Sequence, residues 1–378
     1  MKDPDHSRRR LLVQAAGLAA GAALTAAAAG GGPAAAPAAV MPKTGAAVGP
    51  RRIIIDTDPG VDDALAIFLA LKSPEVKVEA ITPVAGNVPL DLTLPNALRL
   101  LEIAGRSDIP VAAGASSPLK RRLVTAAYVH GNNGLAGVEF PEPKTKPVAE
   151  SAQQLIRRIV RQSPGEVSII AIGPLTNLAL AFRDDPQLPS LVRSVTIMGG
   201  SLSGGNITPA AEFNSYVDPE AAQAVYRSGA RITMIGLDVT RKAALSEEQI
   251  RMLESSRNPA GHAAGRIMRA SLEQIRRTGG NGGRLLAHDA MAVASFIDPS
   301  LVTRQDVHIE IETEGELTAG ETVGYRKTPM RRSAPLLDAP GAAEDASFQP
   351  NAQAAVDVDG ARFLSFLIGR LVGCDRAI

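Results

Sequence analysis

The stretch that decides the fold covers residues 53–63 and reads Ile53-Ile54-Ile55-Asp56-Thr57-Asp58-Pro59-Gly60-Val61-Asp62-Asp63. Three consecutive isoleucines predict a strand that is buried on both faces. The Pro-Gly pair predicts a turn, and the following segment, residues 62–71, has the apolar spacing of a helix. A buried strand that turns directly into a helix is the repeating element of a parallel α/β sheet.

The same alternation continues along the chain. Further strands are predicted at residues 76–81, 167–172, 194–198 and 232–237, and further helices at residues 92–103, 149–162, 175–182, 219–228 and 359–372. This order predicts a doubly wound, mostly parallel open α/β sheet with helices on both faces, in a single domain over residues 50–378. A segment rich in Pro and Ala, residues 334–349, is predicted to be an insertion or a loop.

The composition favours a small-molecule substrate. The 378 residues carry 40 basic and 39 acidic side chains, so no overall field attracts nucleic acid or an anionic membrane. The chain has no tryptophan, which leaves few surfaces on which bases of a nucleic acid could stack. Its single cysteine, Cys374, excludes an internal disulfide framework and a cysteine zinc site.

Residues 1–40 have the pattern of a targeting segment. Ser7-Arg8-Arg9-Arg10-Leu11-Leu12 precedes an Ala-rich apolar run and then a Gly/Pro/Ala stretch with small-residue cleavage patterns. This resembles a twin-arginine export signal, which predicts a periplasmic or extracellular protein without stable membrane association after cleavage. The alternative is a membrane anchor, because the apolar run is close to the roughly 20 residues that span a bilayer.

Four carboxylates follow the first strand within eight residues: Asp56, Asp58, Asp62 and Asp63. One or two of them could cap the helix and complement its dipole. Four carboxylates so close together repel one another unless a cation or a shared proton relieves them. We therefore predict a site for calcium or magnesium, which bind oxygen ligands. The absence of cysteine and of paired histidines here argues against zinc.

At these residues the chain resembles the nucleoside hydrolase family of inosine-uridine-preferring N-ribohydrolases. The family fingerprint is an apolar strand followed by Asp-x-Asp-Pro-Gly-x-Asp-Asp, and every fixed position is matched. The resemblance implies Ca²⁺-dependent hydrolysis of ribonucleosides to ribose and free base by a homodimer or homotetramer. It implies that Asp58 takes a proton from a calcium-bound water and also touches the metal. Asp62 is then expected to hold ribose hydroxyls, and Asp63 to bind calcium.

Other parts of the family pattern recur at the ends of later predicted strands. In Ala85-Gly86-Asn87 the Gly-Asn pair alone predicts a turn, while the resemblance assigns Asn87 to ribose. The block from Asn206 to Asn214 resembles the ribose-binding stretch, which implies ribose contacts for Asn206, Glu212 and Asn214 beside Met198. Ile172 is expected to bind calcium through its backbone carbonyl. Asp218, directly before Pro219, is predicted to cap a helix.

Two histidines complete the predicted site. His288 and Asp289 open a predicted helix, where the resemblance implies that Asp289 is the last calcium ligand and that His288 protonates the departing base. His130 matches a second family histidine near the pocket. An unperturbed imidazole titrates near pH 6.5, so either histidine could deliver the proton.

The base-facing part of the pattern differs from many family members, which place tyrosines before the His-Asp pair. No tyrosine lies between Tyr226 and Tyr325, and residues 271–286 offer Gln274, charged side chains and a glycine-rich loop instead. Base preference therefore stays open. Two other functions remain: a haloacid dehalogenase-like phosphatase with Asp56 as nucleophile and Asp58 as acid, and an exported, non-catalytic nucleoside- or ribose-binding protein.

Overall fold

Eight strands form one sheet in the computed structural model, which describes residues 49–326 and 349–373. The strands are β1 (Arg51–Thr57), β2 (Val76–Pro83), β3 (Val167–Ala171), β4 (Val195–Met198), β5 (Ile232–Ile235), β6 (Val302–Ile311), β7 (Thr322–Arg326) and β8 (Ala352–Val358). Their order is β2-β1-β3-β4-β5-β8-β6-β7. All neighbours from β2 to β8 are parallel, and β6 is antiparallel to both β8 and β7. The predicted mostly parallel sheet is confirmed.

The helices alternate with these strands. They are α1 (Val61–Leu71), α2 (Leu90–Ile103), α3 (Ala127–His130), α4 (Ala152–Gln162), α5 (Thr176–Asp184), α6 (Leu188–Leu191), α7 (Phe213–Val217), α8 (Pro219–Tyr226), α9 (Leu237–Thr240), α10 (Glu247–Glu254), α11 (Pro259–Thr278), α12 (His288–Ile297) and α13 (Gly360–Val372). Each strand and helix predicted from the sequence is present, and no end differs by more than three residues.

Two hydrophobic layers cover the sheet, one on each face. Side chains of a strand alternate between faces, so Ile53 and Ile55 pack with α1, α11, α12 and α13, whereas Ile54 packs with α4, α5 and α8. All three isoleucines are fully buried, and each such side chain contributes roughly 2 kcal/mol. The predicted helices on both faces are confirmed, and β1 contributes to both cores.

The antiparallel edge formed by β6, β7 and β8 was not predicted. In β6 buried and exposed positions alternate only in its second half, so its apolar signal is weak. The chain between β7 and β8 passes through residues 327–348, and the predicted insertion therefore falls outside the described residues, except Gln349. Residues 1–40 and Cys374 also lie outside them. In the described part of the chain, no helix is long and apolar enough to cross a membrane.

Candidate active site

A cavity of about 380 Å³ opens where the parallel strands end, the edge at which open α/β sheets bind ligands. Most of the predicted site residues line it: Asp62, Asn87, His130, Ile172, Met198, Asn206, Glu212, Asn214, His288 and Asp289. The other two, Asp58 and Asp63, are fully buried in the β1–α1 turn. Residues that are up to 231 positions apart in the sequence thus surround one small space.

Three carboxylates meet in this region. Asp62, Asp63 and Asp289 each offer one oxygen, and the three oxygens lie within 4.8 Å of one another. Asp62 and Asp63 begin α1, while Asp289 lies in the first turn of α12. These two helices pack side by side, because both are apolar along almost their whole length and lie in the same core. Their packing brings the acidic N-termini together.

Asp63 is held by four donors from its surroundings. Its Oδ1 accepts from Thr57 Oγ1 at 2.5 Å and from the backbone N of Asp58 at 3.2 Å. Its Oδ2 accepts from the backbone N of Gly60 at 3.0 Å and from Asn87 Nδ2 at 2.9 Å. The bond to Gly60 satisfies a free N–H at the start of α1. Asp63 therefore stabilises the helix start as well as facing the other carboxylates.

Asp58 lies in a space that two glycines leave open. A Cβ at Gly86 would come within 2.1 Å of Oδ2 of Asp58, and a Cβ at Gly173 within 2.7 Å of Oδ1. Oδ2 accepts from the backbone N of Asn87 at 2.7 Å. Oδ1 is buried and has no hydrogen-bond partner among residues 49–326 and 349–373. A buried carboxylate oxygen without a partner is costly unless a proton or a cation satisfies it.

The carboxylates have raised pKa values. Burial raises the pKa of Asp62 to about 6, and burial together with the charge of Asp62 raises that of Asp63 to about 6. Burial, followed by the charges of its acidic neighbours, holds the pKa of Asp58 and that of Asp289 well above the ordinary value. A divalent cation would relieve this repulsion, and the donors are all oxygens, which suits a hard cation. The residues present therefore fit a metal ion.

The backbone carbonyl of Ile172 lies at the end of β3 beside this cluster. The amide N of Ile172 donates to the carbonyl of Asp56 at 2.7 Å, which continues the pairing of β1 with β3. Its carbonyl O accepts from Asn214 Nδ2 at 3.2 Å. Ile172 is among the residues that line the cavity.

Glu212 and Asn214 form the opposite wall of the cavity. The Glu212 carboxylate caps α7 by accepting from the backbone N of Asn214 at 3.0 Å and of Ser215 at 3.2 Å, and it also accepts from Gly200 N at 2.9 Å. Asn214 Nδ2 donates to the carbonyl of Met198 at 3.1 Å. Burial raises the pKa of Glu212. This wall presents a fixed carboxylate and a fixed amide, groups that pair with sugar hydroxyls.

Asn206 and Asn87 are also fixed through backbone contacts. Asn206 Oδ1 accepts from the backbone N of Phe213 at 2.9 Å, so the loop after β4 folds back on α7. Asn87 Nδ2 donates to the carbonyl of Asp58 at 3.1 Å as well as to Asp63. Both amide side chains are therefore oriented before any ligand binds.

Both histidines line the cavity. His130 Nδ1 accepts from the backbone N of Val61 at 3.0 Å, which leaves its proton on Nε2. His288 Nδ1 lies 2.7 Å from Oγ1 of Thr240. Burial, then the neighbouring His288, lowers the pKa of His130 to about 3, and burial, then Arg241, lowers that of His288 to about 4. Both pKa values therefore lie below that of an unperturbed imidazole, although His130 is buried and His288 only half-buried by exposed area.

A family model described as "Inosine-uridine preferring nucleoside hydrolase" matches residues 53–365. The chain belongs to this family. The predicted family is therefore confirmed, and with it, at the level of the family, the prediction of an enzyme that hydrolyses N-glycosidic bonds. The acidic cluster described above fits the metal site expected of such a member.

Relatives in sequence belong to the same family, and their names give different nucleobase specificities. The chain is 41% identical to a pyrimidine-specific ribonucleoside hydrolase, RihA, of Citrobacter koseri, over 84% of this chain and 97% of that protein. It is 43% identical to the non-specific ribonucleoside hydrolase RihC of Salmonella paratyphi A, over 82% and 94%.

Solved structures of the family show the same architecture. A plant nucleoside hydrolase, PpNRh1, superposes with a TM-score of 0.76 at 35% identity, covering 85% of this chain and 99% of that chain. A purine-preferring ribonucleoside hydrolase from Gardnerella vaginalis has a TM-score of 0.76 at 32% identity, covering 85% and 98%. The single-domain nucleoside hydrolase fold predicted for this chain is confirmed.

In this nucleoside hydrolase, one wall of the cavity is formed by the stretch 271–286, which the sequence singled out without assigning its residues to the site. The face of α11 towards the cavity carries Ser271, Gln274, Ile275 and Thr278, and lining residues outside that stretch that were not predicted include Tyr128 and Phe213. Gln274 Nε2 donates to the backbone carbonyls of Tyr128 at 2.7 Å and Val129 at 3.2 Å. The spacing of the α11 residues is that of one helical face, a signal that could have selected them.

Two aspartates of the predicted motifs have structural roles. Asp56 is fully buried, and its Oδ2 accepts from Thr82 Oγ1 at 2.6 Å and from Asn177 Nδ2 at 2.9 Å. These two side-chain donors tie Asp56 to the neighbouring parts of the fold, β2 and α5, which gives it a structural role. Asp218 accepts from Ala221 N at 3.1 Å and caps α8, which confirms its predicted role.

Proposed function

We propose that this nucleoside hydrolase uses Ca²⁺ to hydrolyse ribonucleosides to ribose and free nucleobase. The observation that carries the proposal is the buried Oδ1 of Asp58, which has no hydrogen-bond partner in the described part of the chain, beside the cluster of Asp62, Asp63 and Asp289. Cleavage of an N-glycosidic bond passes through a sugar cation, which requires a water on one face, a base, and nearby negative charge. The cavity brings these elements together.

Asp58 is proposed as the general base. Its Oδ2 is fixed by the backbone of Asn87, and its Oδ1 is left to accept the proton of the attacking water. The water oxygen then bonds to C1′ of the ribose while the C1′–N bond breaks and its electron pair moves to the base. When bound, Ca²⁺ would lower the pKa of a bound water and would bind vicinal hydroxyls of the ribose.

The proposed calcium ligands are carboxylates of Asp58, Asp63 and Asp289 with the carbonyl of Ile172. Ribose is proposed to contact Asp62, Asn87, Asn206, Glu212 and Asn214, with Met198 against the sugar. The negative carboxylates of Asp62 and Glu212 would also stabilise the positive charge that develops on the ribose ring. Because hydrogen bonds to the backbone hold Glu212 and Asn214 before binding, little reorganisation is needed.

His288 is proposed as the acid that protonates the departing base. Its Nδ1 is engaged with Thr240, so Nε2 remains for the base. His130 is proposed to contact the substrate through its Nε2–H, because its Nδ1 accepts from the backbone N of Val61. The lowered pKa values keep both rings neutral at neutral pH, so His288 must take up a proton with the substrate bound before it can donate one to the base, and donation then leaves the neutral ring.

An assay with a nucleoside panel tests this function. The purified protein is incubated with uridine, cytidine, inosine and adenosine, with CaCl2 or with EDTA, and reducing sugar is measured. Ribose release that EDTA abolishes and CaCl2 restores supports the proposal. Binding heat without ribose release would favour the non-catalytic binding protein, and release of phosphate from phosphomonoesters would favour a phosphatase.

We further propose that residues 1–40 direct export by a twin-arginine route, that residues 50–378 are the catalytic domain, and that the mature enzyme is a homodimer or homotetramer. The support for export is the Arg8-Arg9-Arg10-Leu11-Leu12 stretch before the apolar run. Replacement of Arg8, Arg9 and Arg10 by lysine should retain the protein in the cytoplasm, as measured by cell fractionation. Light scattering of the mature protein measures the oligomer.

A further inference from the structure

A buried hydroxyl contacts the ring of His288 on the side away from the cavity. Thr240 is fully buried and is not among the lining residues, whereas His288 lines the cavity. The two are joined by the 2.7 Å contact between Thr240 Oγ1 and His288 Nδ1. The imidazole therefore spans from the protein interior to the ligand space, and its orientation depends on an atom that a ligand does not touch.

The backbone fixes the distance between these two residues. Thr240 ends α9, which follows β5, and His288 begins α12. The segments between them pair with each other: the backbone N of Leu245 donates to the carbonyl of Leu285 at 2.9 Å, and Ala244 and Leu286 form an antiparallel bridge. Thr240 is thus held opposite His288 by main-chain contacts, so its hydroxyl has a fixed position relative to the ring.

A threonine hydroxyl suits this position chemically. It can donate to an unprotonated Nδ1 and accept from a protonated one, so the contact persists whether or not the ring gains a proton. A carboxylate would only accept, and it would favour the charged ring. The β-branched side chain of threonine has few accessible rotamers. The hydroxyl therefore fixes the ring without selecting one of its protonation states.

We propose that Thr240 is a positioning residue for protonation of the leaving base: it keeps Nε2 of His288 directed at the departing nitrogen. The inference rests on the proposed function. In that step the C1′–N bond breaks, its electron pair goes to the base nitrogen, and this nitrogen takes the proton from Nε2 of the protonated ring, which is left as neutral imidazole. The attacking water gives its oxygen to C1′ and a proton to Asp58.

The test compares two substrates that differ in their need for a proton. In the proposed step a nucleoside base takes a proton as it leaves, whereas 4-nitrophenolate, the anion of a more acidic leaving group, leaves 4-nitrophenyl β-D-ribofuranoside without one. The variant Thr240→Val keeps the shape of the side chain and removes the hydroxyl, and Thr240→Ser keeps the hydroxyl. For Thr240→Val, kcat on uridine or inosine should fall roughly 10-fold or more, while kcat on the nitrophenyl riboside should stay within about 3-fold. Thr240→Ser should resemble the wild type on both.

Each other outcome decides against the role. An equal loss on both substrates would mean that Thr240 only maintains the site, and no loss on nucleosides would mean that the contact is dispensable. In a His288→Ala background, Thr240→Val should add nothing, because the two residues act through one contact; an additive loss contradicts the proposal. A wild-type protein that releases ribose from neither substrate would overturn the proposed function itself, before any variant is compared.

Discussion

Asn87 Nδ2 donates to Asp63 Oδ2 at 2.9 Å. The backbone N of the same asparagine donates to Asp58 Oδ2 at 2.7 Å. One residue of the loop after β2 thus fixes two carboxylates of the turn between β1 and α1. Burial raises the pKa of each carboxylate. Because Asn87 donates to both carboxylates, their orientation towards a cation depends on this residue.

Replacement of Asn87 by alanine should weaken calcium binding. The side-chain hydrogen bond to a charged group contributes about 1.5–3 kcal/mol, which corresponds to a Kd roughly 10- to 100-fold higher. Isothermal titration calorimetry of the metal-free protein with CaCl2 measures this change. Asn351→Ala is the control, because Asn351 donates to the carbonyls of Tyr226 and Ile309, away from the cavity. An unchanged Kd in Asn87→Ala would contradict the role given to this asparagine.

The contribution of the buried aspartates to the stability of the metal-free protein should fall as the pH rises from about 4 to about 7, against a smaller opposite contribution from His130 and His288, whose pKa values are lowered. The pKa is about 6 for Asp62 and Asp63 and about 7 for Asp56, in each case raised by burial. In that range the folded chain holds protons that the unfolded chain, with carboxyl pKa values near 4, has already lost. Folding is therefore favoured at the acidic end and this contribution is lost above the folded pKa values.

Calcium should reverse this trend. Because it binds ionised carboxylates, binding releases protons and tightens as the pH rises. The increase in Tm on adding CaCl2 should therefore be larger at pH 7.5 than at pH 5, with a gain of roughly 4 kcal/mol at a thousandfold excess over Kd. Differential scanning calorimetry at both pH values measures it. An equal or larger increase at pH 5 would show that these carboxylates are not the ligands.

Gln274 should control how α3 covers the cavity. Its Nε2 joins α11 to the backbone carbonyls of Tyr128 and Val129, next to His130. In Gln274→Ala, amide hydrogen exchange of residues 126–131 should accelerate, and KM for nucleosides should rise roughly 3- to 10-fold, because about 1 kcal/mol of hydrogen bonding is lost. Glu273→Ala is the matched control, since Glu273 is exposed and is not a lining residue. Equal amide exchange rates for residues 126–131 in Gln274→Ala and Glu273→Ala would show that the Gln274 hydrogen bonds do not hold α3 in place.

The parallel sheet and the acidic turn could be predicted because their signals are local. Ile53, Ile54 and Ile55 are consecutive, and the carboxylates of the turn lie within eight residues. Residues of later loops, such as Asn87 and Glu212, required the family resemblance, because only the fold brings them to the same cavity. The antiparallel edge was missed because the apolar signal of β6 is weak: only Val302 is buried in its first half.

The state of the histidines and the base-facing wall could not be derived from sequence for a similar reason. The pKa values of His130 and His288 depend on burial, which is a property of the packed cavity. Tyr128 lies two residues before His130 and is 61% exposed, so neither its spacing nor its burial indicates a place at the cavity rim. Thr240 has no sequence signal that connects it with a residue 48 positions later.

The most direct test of the account compares ribose release by the wild type and by Asp58→Asn. Both proteins are saturated with CaCl2 and mixed with the nucleoside that the wild type cleaves fastest, and nucleoside affinity is measured in parallel. The account predicts that Asp58→Asn binds the nucleoside but loses roughly 1000-fold in kcat, since the general base is removed. A rate within a few-fold of the wild type would contradict the assignment of Asp58 as the base.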